Sequence, residues 1–583
     1  MKLVTSAQMR TLEERAVEAG VDLDQLMENA GLNVAQEVWM QLGHVEDRRI
    51  VVLVGPGNNG GDGLVAARHL AEWGAAVRCY ALAPRDDAQW QATLAAEIPC
   101  GSVADDDGFE ALEAVLAGAE VVIDALLGTG QSRAIEGDLA EVLTRLGAAR
   151  SRSVPPKLIA VDLPTGLDAD SGRADPLTVA PNETVTFQYP KVGLYTQPGA
   201  ALAGDVQTVE IGIPSGLDED MQIELIERRD AKRLLPPRGA DAHKGSFGRV
   251  LVVAGSARYP GAAVLAASAA YRVGAGLVAL ATPRSLIPAL VAAMPEVVYV
   301  PLPDDASPGT PDDSALDELT SVLGDYEAVV VGPGLGQAEA TQELVRGLVR
   351  SPELAGRSGI VIDADGLNAL AADTPFGEVT APLVLTPHPG EMARLVGSDT
   401  LIDVGEVQGN RLGLAQDRAA AWGATLVLKG ANTIVAEQDG RASVSAIANA
   451  ALATAGSGDV LAGAIGGLLA QGMSTFDASR LAVYLHGNGG ERAARARGSA
   501  GTTASDVLEY LALAGRSLAG EEPAGGDGGG NLPFGLGAGG GDASAMGGGM
   551  GDMSQVLGGG GMPKPGAGRG GAGLSNPFGA EPG

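Results

Sequence analysis

The chain repeats one local pattern along most of its length, and this pattern constrains the fold more than any other feature. An apolar run is followed by a glycine-containing turn and then by a segment with helical periodicity. In the first part of the chain the apolar runs are RIVVLV, AAVRCYALA, AEVVIDALLG, PKLIAVDLP, ETVTFQY and DVQTVEIGIP. The sequence therefore predicts parallel sheets covered by helices on both faces, with ligand crevices beyond the carboxyl ends of the strands.

The pattern breaks around residues 214–240, where charged residues and prolines mix, and a second series of apolar runs then begins with GRVLVVAGS. With 583 residues the chain is longer than one ordinary domain. We expect two α/β domains with a boundary near 215–230. From about Gly520 onward the chain is rich in glycine and almost free of aromatic and β-branched residues, which predicts a disordered tail at 520–583.

The composition narrows the class of partner. Lysine and arginine number 40 against 72 aspartates and glutamates, a formal net charge of −32, which disfavours nucleic acid and anionic membranes. Two cysteines, Cys79 and Cys100, are too few for a disulfide scaffold and indicate free thiols. The apolar stretch 261–282 contains Arg272 and several glycines, so we expect a buried helix running into a strand. Because Thr5 and Gln8 begin a helix where a signal peptide would lie, we expect a cytoplasmic protein.

The glycine-rich segment GPGNNGGDG (55–63) directly follows the first apolar run. Its N–H groups are suited to hold an anion, and its Asn and Asp side chains offer oxygen ligands to a hard cation. The alternative is a tight turn without a ligand, because Asn and Gly are common turn residues. Two later runs end in an aspartate, Asp124 or Asp162, followed by a glycine-containing loop. Three such loops at one edge of a sheet are expected to converge on one site.

Taken together, GPGNNGGDG, ENAG (28–31), DALLGTG and DLPTGLDADSG resemble the NAD(P)H-hydrate epimerase domain. The resemblance implies a Rossmann-like three-layer α/β/α domain at 1–220 that interconverts the R and S epimers of hydrated NADH or NADPH and holds a potassium ion. It implies a catalytic acid/base role for Asp162 and potassium ligation by Asn59, Asp124 and Thr165. The residues it implies for binding the hydrate are Asn58, Asn59, Gly60, Gly61, Asp62 and Asp162, with a phosphate-holding loop formed by Gly128, Thr129, Gly130, Gln131, Ser132, Arg133 and Ala134.

These residue types fit the chemistry. Epimerising a carbon that carries both a hydroxyl and the ring nitrogen requires reversible cleavage of the C–O bond, and a carboxylate passes the proton to and from the leaving hydroxyl. The cation either offsets the cofactor's phosphates or fixes the carboxylate geometry; both alternatives stay open.

In the second half the segment TAGSGD places small residues at the start of a helix near Asp459. N–H groups there can point at a phosphoryl group while the Asp459 carboxylate faces an attacking hydroxyl. The alternative is an ordinary helix start with an acidic first turn. The chain contains no G-x-x-x-x-G-K-[ST], which excludes a Walker-type P-loop.

With HKGSFG, GPGLG, TPHPGE and LKGANT, this arrangement resembles the ribokinase-like fold, and within it the ADP- or ATP-dependent NAD(P)H-hydrate dehydratase, across 228–515. The resemblance implies a nucleotide co-substrate with Mg²⁺, a catalytic Asp459, and usually a homo-oligomer. Residues implied to touch the hydrate are Ala262, Gly336, His388 and Asp459. Residues implied to hold the nucleotide phosphates are Lys429, Gly430, Ala431, Asn432, Thr433 and Gly458.

The favoured prediction is a two-domain enzyme that epimerises the hydrates and dehydrates the S hydrate back to NAD(P)H. An alternative makes the second domain a vitamin-precursor or sugar kinase and the first a nucleotide-sensing module. His388, between two prolines, has the alternative of a loop residue that only packs on its neighbours. The histidines are too dispersed for a metal site of their own.

Overall fold

The structure is a computed structural model, and it describes residues 1–130, 133–371, 376, 379–397 and 402–521. The predicted tail at 520–583 lies outside these residues except for its first two positions. Gln131 and Ser132 of the predicted phosphate loop lie outside them as well.

The first sheet has seven parallel strands in the described part of the chain, in the order β3-β2-β1-β4-β5-β6-β7. Six of these strands come from the apolar runs of the sequence, and β3 is the additional one. The central strands are buried on both faces, as expected for a parallel sheet, whereas the edge strand β7 is partly exposed. The strands are β1 (Arg49–Val54), β2 (Ala76–Ala81), β3 (Cys100–Ser102), β4 (Val121–Ala125), β5 (Lys157–Val161), β6 (Glu183–Phe187) and β7 (Asp205–Val209).

Helices cover this sheet on both sides. Residues of α2 and α3 pack with Val52 on one face, and residues of α5 and α6 pack with Leu53 on the other. The predicted capping box at the first helix is present, because Thr5 and Gln8 bond to each other's main chain. The helices are α1 (Ser6–Glu18), α2 (Leu23–Leu42), α3 (Asn58–Glu72), α4 (Ala88–Ala95), α5 (Glu110–Gly118), α6 (Gly137–Arg150) and α7 (Gly199–Leu202).

The second sheet has ten strands among the described residues, in the order β11-β10-β9-β12-β13-β14-β15-β16-β17-β8. It is parallel except for β16, which pairs antiparallel with β15 and β17. The strands are β8 (Ile223–Ile226), β9 (Arg249–Val253), β10 (Leu277–Pro283), β11 (Val298–Leu302), β12 (Ala328–Val331), β13 (Gly359–Ile362), β14 (Leu383–Leu385), β15 (Thr425–Leu428), β16 (Ile434–Ala436) and β17 (Ala442–Ser445).

Two apolar clusters cover the faces of the second sheet. The apolar stretch 261–282 forms most of α9 and β10, so the prediction of a buried helix running into a strand is confirmed. In the described ranges, no helix combines the length and the apolar character needed to cross a membrane. The helices are α8 (Arg228–Leu234), α9 (Pro260–Arg272), α10 (Ile287–Leu290), α11 (Ala315–Leu323), α12 (Glu339–Val349), α13 (Asp365–Leu370), α14 (Pro389–Val396), α15 (Val404–Gly409), α16 (Arg411–Trp422), α17 (Ser457–Ala470), α18 (Thr475–Arg497) and α19 (Ala504–Ala519).

The first residues of the chain connect the two α/β regions. The N–H of Leu3 donates to the carbonyl of Ile223 (2.9 Å), and the N–H of Val4 donates to the carbonyl of Pro190 (3.1 Å). β8, which lies between the two predicted domains, pairs with β17 and so belongs to the second sheet. The boundaries at 220 and 228 stay predictions.

Candidate functional site

The glycine-rich turn at 55–63 lies where the strand order of the first sheet reverses, because β1 pairs with β2 on one side and with β4 on the other. Ligands bind at such switch points in α/β sheets. A Cβ on Gly55 would lie 1.6 Å from the carbonyl oxygen of Leu126, and one on Gly60 would lie 2.2 Å from that of Gly55. The close approach of the main chain to itself therefore requires these glycines. They do not by themselves indicate a ligand.

Asp124 and Thr165 form a buried polar cluster beside this turn. The Asp124 carboxylate accepts hydrogen bonds from the hydroxyl (2.7 Å) and the N–H (3.0 Å) of Thr165 and from the N–H of Leu126 (3.2 Å). Burial raises the pKa of Asp124. Across the described residues, no basic side chain forms an ion pair with it. A buried carboxylate without a cationic partner suits a site for a bound cation.

Asn59 lies at the same edge of the sheet. Its Oδ1 would be 3.2 Å from a Cβ on Gly128, and Gly128 follows Leu127, whose N–H donates to the Thr165 hydroxyl (3.1 Å). The Nδ2 atom of Asn59 is buried and has no hydrogen-bond partner in the described part of the protein. Asn59 and Thr165 thus lie beside consecutive residues of the loop that follows Asp124, and an amide, a carboxylate and a hydroxyl are oxygen donors of the kind that a hard cation takes. Asn58, at the first position of α3, is exposed, whereas Gly60 and Gly61 are buried.

Asp162 follows β5 and forms a buried ion pair. Its φ of 63° lies in the left-handed region, which costs a residue other than glycine about 1–3 kcal/mol. The carboxylate accepts hydrogen bonds from Nζ of Lys191 and from the hydroxyl of Thr186 (3.2 Å). Lys191 is only 1% exposed, and its Nζ also donates to the Phe187 carbonyl (3.4 Å). The lysine therefore fixes the position of the carboxylate.

Two further carboxyl groups face this ion pair. Burial raises the pKa of Asp62 well above its usual range, and the charges of Asp162 and Glu13 raise it further, while Lys191 opposes them. Burial also raises the pKa of Glu13, which approaches from α1. Asp62 therefore keeps its proton to a higher pH than an exposed aspartate does.

Lys191 and Glu13 were not predicted from the sequence. The signal for Lys191 is weak: it is a lysine in the otherwise uncharged stretch QYPKVGLY. Glu13 lies on a helix that carries several other charged residues, so nothing in the sequence distinguishes it.

The described start of the predicted phosphate loop, residues 128–130, follows the carboxyl end of β4 shortly after Asp124. Gly128 and Thr129 are partly exposed. The other described residues of this loop are exposed, namely Gly130, Arg133 and Ala134.

A second site is centred on the start of α17. The helix begins at Ser457 after Gly456, whose φ is 90°. Asp459 lies in the first turn, as predicted. Burial raises the pKa of Asp459 to about 7, and the charge of Asp363 contributes to the rise. A carboxyl group with a pKa near neutrality is well suited to proton exchange at physiological pH.

Lys429 lies between the start of α17 and two carboxylates, those of Asp363 and Glu391. Its Nζ donates to Oδ1 of Asp363 (2.6 Å) and lies 3.7 Å from a carboxylate oxygen of Glu391. A Cβ on Gly458 would lie 3.3 Å from the same Nζ, so Gly458 leaves room at the helix start. Burial lowers the pKa of Lys429, but the carboxylates of Asp363 and Glu391 more than offset this, and the net shift is upward. Lys429 therefore stays a cation.

The loop 429–433 joins β15 to β16, and buried Arg411 on α16 donates hydrogen bonds to the main chain where the loop begins. The guanidinium of Arg411, which is 2% exposed, donates to the carbonyls of Leu428 (3.1 Å) and Lys429 (3.3 Å). Burial lowers the pKa of Arg411 to about 10. The Thr433 hydroxyl donates to the carbonyl of Gly430 (2.9 Å) and closes the turn.

Asn432 uses its polar groups within the protein. Its N–H donates to the carbonyl of Ile447 (3.2 Å) and its Nδ2 to that of Ser445 (3.0 Å). Its Oδ1 accepts a hydrogen bond from Nε2 of Gln197 (2.9 Å). The side chain thus supports the loop, while the neighbouring Ala431 is exposed.

His388 is the N-cap of α14. Its Nδ1 accepts hydrogen bonds from the N–H groups of Gly390 (3.0 Å) and Glu391 (3.3 Å). Burial lowers its pKa, which favours the neutral ring that such a cap requires. The half-exposed ring therefore caps α14 through Nδ1, and its Nε2 lies 3.4 Å from a carboxylate oxygen of Glu391.

Gly336 is the last residue of the GPGLG turn (332–336), and Ala262, on α9, packs against this turn. A Cβ on Gly334 would lie 2.7 Å from that of Ala262, and the N–H of Gly336 donates to Asp365 (2.8 Å). Asp365 also adds to the pKa shift of Asp459. The structure therefore brings this turn and the start of α17 to one edge of the second sheet.

Three residues of the second site were not predicted from the sequence: Asp363, Glu391 and His486. Asp363 carries the same signal as Asp162, because it directly follows a strand. His486 is buried, its Nε2 lies 2.9 Å from the carbonyl oxygen of Ser457, and burial lowers its pKa to about 4. The neutral ring therefore contacts the first residue of α17. His486 lies on α18, whose sequence contains no motif that indicates this contact.

Comparisons with known proteins cover both sites. The family described as NAD(P)H-hydrate dehydratase matches residues 250–513, and the one described as YjeF-related protein N-terminus matches residues 23–193. The chain is 40% identical over 533 residues to the bifunctional NAD(P)H-hydrate repair enzyme of Moorella thermoacetica, across 89% of this chain and 98% of that protein. It is also 40% identical over 526 residues to the enzyme of the same name from Thermofilum pendens, across 89% and 97%.

Among solved structures, the ADP/ATP-dependent NAD(P)H-hydrate dehydratase from Bacillus subtilis, co-crystallized with ATP/Mg²⁺, is 30% identical. It covers 51% of this chain and 99% of that chain, with a TM-score of 0.44. The predicted α/β class is confirmed, because each half of the chain forms a mostly parallel sheet with apolar clusters on its faces. The near full-length identity to curated relatives shows that this chain belongs to the family of bifunctional NAD(P)H-hydrate repair enzymes.

Proposed function

We propose that the chain repairs hydrated NADH and NADPH in two steps. The first site interconverts the R and S hydrates, and the second site uses an adenine nucleotide to dehydrate the S hydrate to NAD(P)H. One observation carries this proposal: the similarity to bifunctional repair enzymes extends over both sites, the one with the Asp162–Lys191 ion pair and the one with Asp459 near the Lys429–Asp363 ion pair.

In the first site Asp162 is the acid/base. Departure of the hydroxyl from the ring carbon requires a proton, and its return from the other face releases one. Lys191 holds the Asp162 carboxylate in place, so the proton is exchanged at a fixed position. Burial raises the pKa of Asp62, and in its protonated form this carboxyl group would donate a hydrogen bond to the substrate. Asn58, Gly60, Gly61 and the loop from Gly128 onward line the remaining surface.

We propose that Asn59, Asp124 and Thr165 hold a potassium ion. The ion would supply the positive charge that the buried Asp124 lacks and would offset the negative phosphates of the cofactor. The Thr165 hydroxyl and N–H orient the carboxylate from one side.

In the second site Asp459 removes the proton from the hydrate's hydroxyl, and the freed oxygen attacks the terminal phosphorus of the nucleotide. The bond from that phosphorus to the bridging oxygen breaks, which releases AMP from ADP or ADP from ATP. The ring nitrogen's lone pair then expels inorganic phosphate, and loss of a proton from the neighbouring carbon restores the dihydropyridine. Lys429 provides positive charge for the nucleotide phosphates, with the N–H groups near Gly458 at the helix start. Hydroxide is a poor leaving group, so phosphorylation makes the elimination possible.

We further propose ADP or ATP, accompanied by Mg²⁺, as the co-substrate, and a cytoplasmic homo-oligomer as the working form. Ala262, Gly336 and His388 would contact the hydrate, and the loop 429–433 would contact the nucleotide.

The test is to mix hydrated NADH with the protein and either ADP or ATP and to follow absorbance in the dihydronicotinamide band. Recovery of the band with release of inorganic phosphate supports the proposal. Chromatography of the products separates it from a kinase, which would form a stable phosphoester and restore no absorbance. The Asp459→Asn variant should lose about 10²–10⁴-fold in rate.

A further inference from the structure

A loop of the first domain reaches the nucleotide loop of the second. After β6 the chain passes through Lys191, which pairs with Asp162, and six residues later Gln197 donates to Oδ1 of Asn432 (2.9 Å). Between these points, the N–H of Val192 donates to the carbonyl of Val4 (3.0 Å), so the loop is also held by the first strand-like segment of the chain. The segment 191–197 is therefore held by the first domain at Lys191 and Val192 and by the second domain at Gln197.

Asn432, which receives the hydrogen bond from Gln197, is a buried residue of the nucleotide loop with an unusual main-chain conformation. It is 3% exposed, and its φ of 55° lies in the left-handed region. An asparagine holds this conformation when its side chain is hydrogen-bonded locally. Ser445 and Ile447 of the second domain satisfy its Nδ2 and N–H, but the donor for its Oδ1 comes from Gln197.

We propose that Gln197 is a positioning residue for the nucleotide loop 429–433, so that the first domain completes the nucleotide-binding surface of the second site. This rests on the function proposed for that site. Without Gln197 a buried acceptor has no partner, which favours other conformations of Asn432 and displaces the neighbouring Lys429 and Gly430. The apparent Kd for the nucleotide then rises in inverse proportion to the fraction of molecules whose loop is in the binding-competent conformation.

The test measures nucleotide binding directly. Calorimetry with ADP and with ATP should show that Gln197→Ala raises the Kd about tenfold, which corresponds to about 1.4 kcal/mol. The KM for the nucleotide should rise equally, while kcat at saturating nucleotide and the epimer-exchange rate stay within about twofold. Gln207→Ala, an exposed glutamine on β7, is the matched control and should change nothing. Gln197→Glu keeps the shape of the side chain but removes the N–H donor, so it should also raise the Kd. It replaces the alanine variant in this test if that variant folds poorly.

A double-mutant cycle with Asn432→Gly separates positioning from a general structural effect. Glycine adopts the left-handed conformation without support and removes the acceptor, so Gln197→Ala should add no further loss in that background. An unchanged Kd in both Gln197 variants, or additive losses in the cycle, would overturn the proposal. Failure of the repair function would look different, because the wild type would then show no nucleotide-dependent recovery of NADH.

Discussion

The raised pKa of Asp459 determines the pH dependence expected of the second site. Burial is the main cause of the shift to about 7, and the charge of Asp363 is the next. As a base, Asp459 must be ionised to act, so activity rises with pH through the pKa. A group with a pKa of about 7 is roughly one-tenth ionised at pH 6 and nine-tenths ionised at pH 8. We therefore expect kcat/KM for the S hydrate to fall about tenfold from pH 8 to pH 6.

A substitution at Asp363 tests the cause of this shift. Asp363→Asn removes a neighbouring negative charge, so the pKa of Asp459 should fall and the acid limb of the profile should move to lower pH. The assay is the initial rate of absorbance recovery at low hydrate and low nucleotide concentration, in overlapping buffers. Asp317→Asn, an exposed position on α11, is the matched control and should leave the limb in place. A wild-type profile that is flat between pH 6 and pH 8, or an Asp363→Asn limb that does not move, would refute this reasoning.

Three further outcomes are expected. Lys191→Met leaves Asp162 without its cation and should slow epimer exchange at least about 100-fold while dehydration of the S hydrate continues; equal loss of both activities would contradict a local role. Asp124→Asn should abolish any response of epimer exchange to K⁺, and a variant that still responds would count against the proposed ligand set. Burial, with the charge of Glu37, raises the pKa of Glu183 to about 7, so its carboxyl should make the fold less stable as pH rises from about 4.5 to 7. Glu183→Gln should therefore stabilise the protein by about 1–3 kcal/mol at pH 8 and little at pH 4, as urea unfolding would measure, and an equal gain at both pH values would contradict the pKa shift.

The strand ends carried most of the information that sequence could give. Asp124 and Asp162 were identified because each follows an apolar run, and parallel strands bring such ends to one edge of a sheet. Asp459 was identified because small residues precede it at a helix start. These signals are local, so a single stretch of sequence contains them.

Contacts between distant segments could not be predicted in this way. Lys191 reaches Asp162 only because β6 lies beside β5 and the chain then turns back, and no pattern in either segment indicates the other. The edge position of β8 depends on its pairing with β17, more than 200 residues away in sequence. His388 shows a further limit: its position between two prolines suggested a loop residue, and its role as the N-cap of α14 appears only in the structure, where its Nδ1 accepts a hydrogen bond from the N–H of Gly390.

The most direct test of two cooperating sites uses an equilibrated mixture of R and S hydrates with excess nucleotide. The wild type should return both epimers to NADH, whereas Asp162→Asn should return the S hydrate and leave the R hydrate, apart from its spontaneous epimerisation in a sample without protein. Asp459→Asn should return neither but should still interconvert the epimers. Complete conversion of the mixture by Asp162→Asn at the wild-type rate would contradict the account.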